Sequence, residues 1–255
     1  MDLELRDRVV LITGGSDGLG LGLARKLVEE GARVAVCGRN PERLTRAQEL
    51  LGNDALCFRA DVTNTVELDA FIDEALSRFG RLDGAVNNAG RTAGSSVATS
   101  NDEEWRDDYE LKVIAALHVS RRVLSALEVT SGAIVNVLAI MARTPSANST
   151  PTTASRAAGL ALTKALANEV GPRGIRVNAI LIGLIASGQW ERRANDADVS
   201  LDEYYETLAQ NAKIPLGRVG RTEEFADLGA FLLSPRASYL TGVGVSIDGG
   251  LSPAI

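Results

Sequence analysis

Short runs of apolar, mostly β-branched residues alternate along this chain with longer stretches whose apolar residues recur at helical spacing. Strands are predicted at RVVLIT (8–13), RVAVCG (33–38), ALCFRADV (55–62), LDGAVNNAG (82–90), AIVNVL (133–138), IRVNAIL (175–181) and VGVSID (243–248). Helices are predicted up to about Glu30, through Leu51 and to near Gly80, and from about Asp102 to Leu127 and about Thr152 to Val170.

This alternation predicts the fold class. Strands that are apolar throughout are buried on both faces, and regular helical crossovers make the sheet parallel. We therefore expect an α/β, three-layer, doubly wound fold with a seven-stranded, mostly parallel sheet and helices on both faces. No linker-like segment divides residues 1–255, which favours a single domain.

One segment interrupts the alternation of strands and helices. Residues 185–214 are polar and contain Trp190, Tyr204 and Tyr205. Long segments that follow the carboxyl end of a parallel strand commonly cover ligands, so this segment is predicted to be a lid.

Composition narrows the classes of partner. The net charge of −6 leaves no basic excess for a phosphate backbone, so nucleic-acid binding is not expected. No apolar run is long enough to span a membrane, and the acidic start does not resemble a secretory signal, so a cytoplasmic protein is expected. Cys37 and Cys57 are read as free core thiols. His118 lacks neighbouring ligands, so no metal site is expected.

The first motif with chemical meaning is TGGSDGLG, at Thr13–Gly20, between the first strand and the first helix. Glycines at 14, 18 and 20 allow the backbone to approach a diphosphate, and the helix N-terminus stabilises its charge. The segment thus predicts a dinucleotide site.

This motif and four others resemble the short-chain dehydrogenase/reductase family, whose members have a Rossmann fold. The others are Asp61-Val62, the turn Asn87–Gly90, the stretch RGIRVNAI (173–180) with Gly183 and Ser187, and residues 217–250. The resemblance implies a nicotinamide dinucleotide, a small-molecule substrate and a homotetramer or homodimer. The cofactor contacts it implies are Gly14, Ser16, Asp17, Gly18, Leu19, Gly20, Arg39, Asp61, Val62, Asn88, Ala89, Gly90, Arg156, Gly183 and Ile185.

The residue after the second strand discriminates between the two dinucleotides. An acid there would hold the ribose 2′-hydroxyl of NAD, whereas an arginine accommodates the 2′-phosphate of NADP. This chain has Arg39, which favours NADP, with NAD as the alternative. Asp17 argues the other way, because its carboxylate would repel a phosphate.

The family's catalytic tetrad aligns with four different residues here. Its tyrosine falls on Thr152, its lysine on Arg156, its serine on Ala139 and its asparagine on Glu110. Threonine is a far weaker acid than a phenol, and arginine does not release its proton, so the usual relay cannot operate. Glu110 and Arg156 are expected to form an ion pair in this site.

Three functions remain open from the sequence. The first is oxidoreduction of an unknown carbonyl or alcohol, with a proton donor such as Tyr204, Tyr205, Ser149 or a water. The second is dinucleotide binding without redox activity, as a sensor or partner subunit. The third is non-redox chemistry that uses Arg156 and Glu110.

Overall fold

The computed structural model describes residues 2–254, apart from the side chains of Gln189, Glu191 and Arg192. Its strands are β1 (Val9–Thr13), β2 (Arg33–Gly38), β3 (Leu56–Arg59), β4 (Gly84–Asn87), β5 (Gly94–Ser95), β6 (Ala133–Ala139), β7 (Thr150–Pro151), β8 (Arg176–Ile182) and β9 (Gly244–Ile247). Its helices are α1 (Gly18–Glu29), α2 (Pro41–Leu51), α3 (Thr65–Phe79), α4 (Asp102–Tyr109), α5 (Ala115–Thr130), α6 (Thr152–Val170), α7 (Gly188–Asp196), α8 (Leu201–Ala212) and α9 (Thr222–Leu233).

Within these residues, the main sheet has seven strands in the order β3-β2-β1-β4-β6-β8-β9. All its neighbouring strands are parallel. The predicted doubly wound fold and seven-stranded sheet are confirmed. The short strands β5 and β7 pair antiparallel outside this sheet and were not predicted, because two-residue strands carry no periodicity.

The sheet is buried on both faces. One hydrophobic cluster joins strand residues such as Val36 to Leu23 of α1 and Phe225 of α9. The other joins the opposite strand faces to Phe71 of α3 and Val123 of α5. Burial on both faces explains why the strands read as continuous apolar runs.

Polar caps set the helix boundaries near the sheet edge. Asn40 accepts a hydrogen bond from the backbone N–H of Arg43 at the start of α2, and Asn64 caps α3 in the same way. Gly80, at φ +70°, ends α3 in the left-handed conformation that glycine favours. Among the described residues, no helix is long and apolar enough to cross a membrane.

The long predicted helix over 102–127 contains a π-helical turn. Residues Glu110–Ile114 form this turn between α4 and α5, and the N–H of Ala115 donates to the carbonyl of Glu110. Such turns are rare and are often found at functional sites. This one lies directly beside α6, which carries the residues aligned with the family's catalytic pair.

Candidate active site

Two glycines at the junction of β1 and α1, one in the connecting turn and one in the first turn of α1, have no room for side chains. Gly14 has φ +65°, and a Cβ there would lie 2.9 Å from the Cα of Ala89. A Cβ on Gly20 would lie 2.4 Å from both the Gly14 carbonyl oxygen and Asn88 Nδ2. Only glycine satisfies both contacts, so bare backbone forms the surface of this turn.

The turn after β4 is locked onto it. Asn88 Nδ2 donates to the carbonyls of Thr13 and Gly14, at 2.9 and 3.0 Å. The Thr13 hydroxyl in turn accepts from the backbone N–H groups of Asn88 and Ala89, at 3.1 and 3.2 Å. We call residues Thr13–Gly20 together with Asn88–Gly90 the cofactor cradle.

The cradle opens at the N-terminus of α1. Asp17 caps this helix by accepting from the N–H of Gly18. Leu19 packs on the core below it, and a Cβ on Gly18 would lie 3.7 Å from the Cβ of Ser187, at the start of α7. A helix N-terminus lined with glycine suits a diphosphate, so these residues fit a dinucleotide.

Basic residues lie at the rim beyond β2. Arg39 Nη1 is 3.5 Å from Asp61 Oδ2, and the Arg39 side chain is 74% exposed. Arg43 Nη1 is 3.1 Å from Asp17 Oδ2. The carboxylate that argued against a 2′-phosphate is therefore paired with an arginine. Sequence reasoning missed Arg43, because its place in the first turn of α2 is typical of a solvated residue.

The remaining predicted cofactor contacts lie on neighbouring strand ends. Val62 is buried behind Asp61. Gly183 packs closely against Asp248, and its N–H donates to the carbonyl of Ile247. Ile185 is buried and bridges to Gly220.

A second group of side chains is buried where the π-helical turn meets α6. Lys112 Nζ donates to Asp108 Oδ1 and also to Thr152 Oγ1, the latter at 2.5 Å. Ser155 Oγ donates to the other carboxylate oxygen, Asp108 Oδ2, at 2.5 Å. The side chains of Lys112 and Asp108 are 2% and 1% exposed. We call these four residues the Lys112 cluster.

Arg156 lies between the cluster and the cradle. Its Nη1 donates to the carbonyl of Val137 at 2.7 Å. A Cβ on Gly90 would lie 3.4 Å from Arg156 Nη2 and 4.0 Å from Lys112 Cε. Both cations therefore lie just beneath the end of the cradle.

Burial shapes the acid–base chemistry here. Desolvation, and after it the charge of Arg156, lowers the pKa of Lys112 to about 8, against the raising effect of Asp108. Desolvation also lowers the pKa of Arg156 to about 10, although Asp108 acts to raise it. Arg156 thus stays charged near neutral pH, whereas Lys112 can gain or lose a proton there.

The expected ion pair between Glu110 and Arg156 is wrong. Within the described residues their charged groups are not within salt-bridge distance, and Arg156 instead bonds a backbone carbonyl near Asp108. Glu110 is only partly buried. It is two residues from Asp108 and from Lys112, so it points to a different side of the helix. The hypothesis of non-redox chemistry by Arg156 and Glu110 does not depend on an ion pair between them and stays a prediction.

The other candidate proton donors have other partners. Ser149 donates its hydrogen to the Ser146 carbonyl at 2.5 Å and accepts from Thr153. In the segment predicted to be a lid, Tyr204 lies against Trp190, with ring centroids 6.4 Å apart, and Tyr205 packs against a hydrophobic cluster that includes Ala209, Ile214 and Val219. Ala139 ends β6, and its methyl group can neither donate nor accept a hydrogen bond.

A small cavity adjoins the cluster. Its volume is about 20 Å³, and its walls include Lys112, Arg156 and Asn87. The buried Asn87 Oδ1 accepts no hydrogen bond from any described residue. A polar cavity of this size holds about one water.

In the part of the chain that the structure describes, no group of His, Cys, Asp and Glu could hold a metal ion.

Comparison with known proteins decides the family. The family described as Enoyl-(Acyl carrier protein) reductase matches residues 14–252, nearly the whole chain. The chain belongs to the short-chain dehydrogenase/reductase family. A putative ketoacyl reductase of Streptomyces coelicolor is 34% identical over 253 residues, which cover 95% of this chain and 96% of the relative. The 3-oxoacyl-[acyl-carrier-protein] reductase FabG of Chlamydia muridarum is also 34% identical, over 99% of this chain and all of that protein.

Solved structures of family members have the same fold as this chain over nearly its whole length. The NADPH-bound short chain oxidoreductase of Pseudomonas aeruginosa PAO1 containing an atypical catalytic center is 38% identical, with a TM-score of 0.92, covering 98% of this chain and 100% of that one. L-sorbose reductase of Gluconobacter frateurii, complexed with NADPH and L-sorbose, is 31% identical, with a TM-score of 0.93, and both chains are covered completely.

Proposed function

We propose that this chain is an NADP(H)-dependent oxidoreductase that interconverts a carbonyl and an alcohol, with a proton donor other than the family's tyrosine. NADP is its dinucleotide. The observation that carries the proposal is the glycine turn locked beneath Asn88 and Ala89, with Arg39 at its rim and Arg156 below its inner end.

Different residues of the chain are assigned to different parts of the dinucleotide. Backbone N–H groups at the start of α1 would hold the diphosphate, and Arg39 and Arg43 would flank the 2′-phosphate. Arg156 is held by the Val137 carbonyl, which leaves its Nη2 beside Gly90 for the hydroxyls of the nicotinamide ribose. When bound, NADPH supplies the hydride that reduces the carbonyl carbon.

Relatives suggest where the substrate search begins. Three of the four family members compared above are named as a ketoacyl reductase, a 3-oxoacyl-[acyl-carrier-protein] reductase and an L-sorbose reductase. These three names describe carbonyl reduction, so the first panel is 3-ketoacyl thioesters and ketoses, followed by simple ketones and alcohols.

Two measurements test the proposal. Titration of the purified protein with NADPH and NADH, followed by nicotinamide fluorescence, is expected to show tighter binding of NADPH. Absorbance at the nicotinamide band then reports turnover over the panel. Binding without turnover of any carbonyl or alcohol would support a dinucleotide-binding protein without redox activity, and no binding at all would overturn both readings.

A further inference from the structure

The threonine that aligns with the family's tyrosine is bonded to a buried amine. Lys112 comes from the π-helical turn and reaches Thr152, the first residue of α6, at 2.5 Å between Nζ and Oγ1. Neither the tetrad alignment nor the relatives' names assign any role to Lys112. A lysine whose side chain is 2% exposed is rare unless it is paired or functional.

Lys112 and Thr152 each have one hydrogen that these hydrogen bonds do not use. An ammonium has three N–H groups, and Lys112 uses two of them, on Asp108 and Thr152. The Thr152 hydroxyl accepts from Lys112, and its own hydrogen has no acceptor among the described residues. A proton can therefore leave through Thr152 while another arrives from Lys112.

We propose that Lys112 is the proton source of this site and that it exchanges its proton with the substrate through the Thr152 hydroxyl. This inference rests on the proposed oxidoreductase function. In this site the Lys112 ammonium and the Thr152 hydroxyl, acting in series, take the place of the phenol in the family's relay.

The atoms and charges balance. In the reductive direction the carbonyl carbon receives a hydride from NADPH, and the carbonyl oxygen takes the hydrogen of Thr152 Oγ1. Thr152 Oγ1 takes a proton from Lys112 Nζ in the same event, so no alkoxide forms on the threonine. Lys112 is left as a neutral amine, and alcohol oxidation runs the same transfers backwards.

The charged neighbours suit this task. Asp108 on the same helix, Arg156 on α6 and Arg91 after β4 act on Lys112, and burial with the two arginines lowers its pKa to about 8. General acids work best when their pKa lies near the working pH. Asp108 holds the ammonium in place, and Ser155 fixes Asp108 in turn.

The proton can also be replaced. The cavity of about 20 Å³ that Lys112 helps to line has room for about one water, and such a water is the source that the proposal assigns to the replacement proton.

The first test needs no substrate. The chain has four lysines, Lys26, Lys112, Lys164 and Lys213, so NMR of protein labelled at lysine Cε resolves each titration. We expect one signal to titrate near pH 8, to vanish in Lys112→Arg and to persist in the control Lys164→Arg, which changes an exposed residue of α6. A Lys112 signal that titrates only above about pH 10, as an unperturbed lysine does, overturns the proposal.

The second test uses turnover. Thr152→Val keeps the shape of the side chain and removes the hydroxyl, and we expect roughly a 100-fold fall in kcat with NADPH affinity changed less than twofold. In the wild type, kcat for reduction falls as pH rises through about 8, because the protonated form of Lys112 is the donor. Oxidation has the opposite dependence.

Lys112→Arg keeps the positive charge beside Asp108 and removes the titration near pH 8. We expect this variant to bind NADPH, to lose kcat and to show no fall in kcat as pH rises through about 8. If Thr152→Val and Lys112→Arg retain full kcat and the same profile, Lys112 is not the proton source. That result leaves the oxidoreductase function standing, whereas failure of NADPH binding in the wild type would remove the function itself.

Discussion

The cofactor cradle and the Lys112 cluster are neighbours, yet they are built from different parts of the chain. Backbone atoms form the cradle, and side chains act there mainly by their absence, at Gly14 and Gly20. The Lys112 cluster is formed by side chains from two helices, which satisfy one another out of contact with solvent. In the cradle, a Cβ added at either glycine would clash with its neighbours. In the Lys112 cluster, removing one side chain would leave a buried polar group without its partner.

The largest expected effect follows from removing the carboxylate of the cluster. Asp108→Ala leaves a buried ammonium without its counter-charge, and breaking a buried pair in this way costs about 3–5 kcal/mol of unfolding free energy. Urea unfolding measures this loss. The matched control is Asp107→Ala, whose exposed partner Arg91 lies 3.7 Å away. The control should cost less than about 1 kcal/mol, and equal losses in the two variants would contradict the comparison.

The cradle is tested by adding one methyl group. Gly20→Ala places a Cβ 2.4 Å from the Gly14 carbonyl oxygen and from Asn88 Nδ2, so the turn must shift. We expect NADPH binding, followed by fluorescence, to weaken roughly tenfold to 100-fold, since such overpacking costs about 1–3 kcal/mol. Gly171→Ala is the control, because a Cβ there meets nothing within 4 Å. Unchanged binding in Gly20→Ala would show that the turn does not hold the diphosphate.

A smaller effect is expected at the rim of the cradle. Arg39→Ala should weaken NADPH binding about tenfold and leave NADH binding nearly unchanged, because our proposal assigns to the arginine only the extra phosphate. Arg59→Ala, at the exposed end of β3, is the control. Equal losses for both nucleotides would mean that Arg39 serves the cradle in general and does not recognise the 2′-phosphate.

The smallest effect lies behind the cradle, where α9 packs on α1. Glu224 bonds Arg218 and the N–H of Arg221, and these contacts lower its pKa to about 2. A depressed pKa stabilises the fold above the ordinary value of 4.5, and the contribution is lost as pH falls toward 2. Glu224→Gln should therefore unfold more easily at neutral pH, by less than about 1 kcal/mol, with a difference that shrinks in acid. A constant difference from pH 7 to pH 2 would contradict this origin.

The contrast between the two regions also explains how far the sequence could be interpreted. The strands and the cradle follow from local patterns, since apolar runs predict buried strands and glycine spacing predicts a bare turn. The Lys112 cluster depends on which face of a helix is buried. Asp108 and Lys112 are spaced as an ordinary surface ion pair would be, so their burial was not visible in the pattern. Alignment with the family directed attention to Glu110, which lies on a different side of the same helix.

The hydrogen bond between Lys112 and Thr152 has a consequence for the history of this site. A tyrosine ring at position 152 that followed the direction of Oγ1 would occupy the volume of the lysine ammonium, only 2.5 Å away. Shortening Lys112 first would strand the Asp108 carboxylate in the interior. Either single step is therefore deleterious, and restoring the family's tyrosine requires coordinated replacement of several neighbours. We therefore expect an epistatic barrier between the family's tyrosine and the arrangement of this chain, which would keep a lineage in whichever one it acquired.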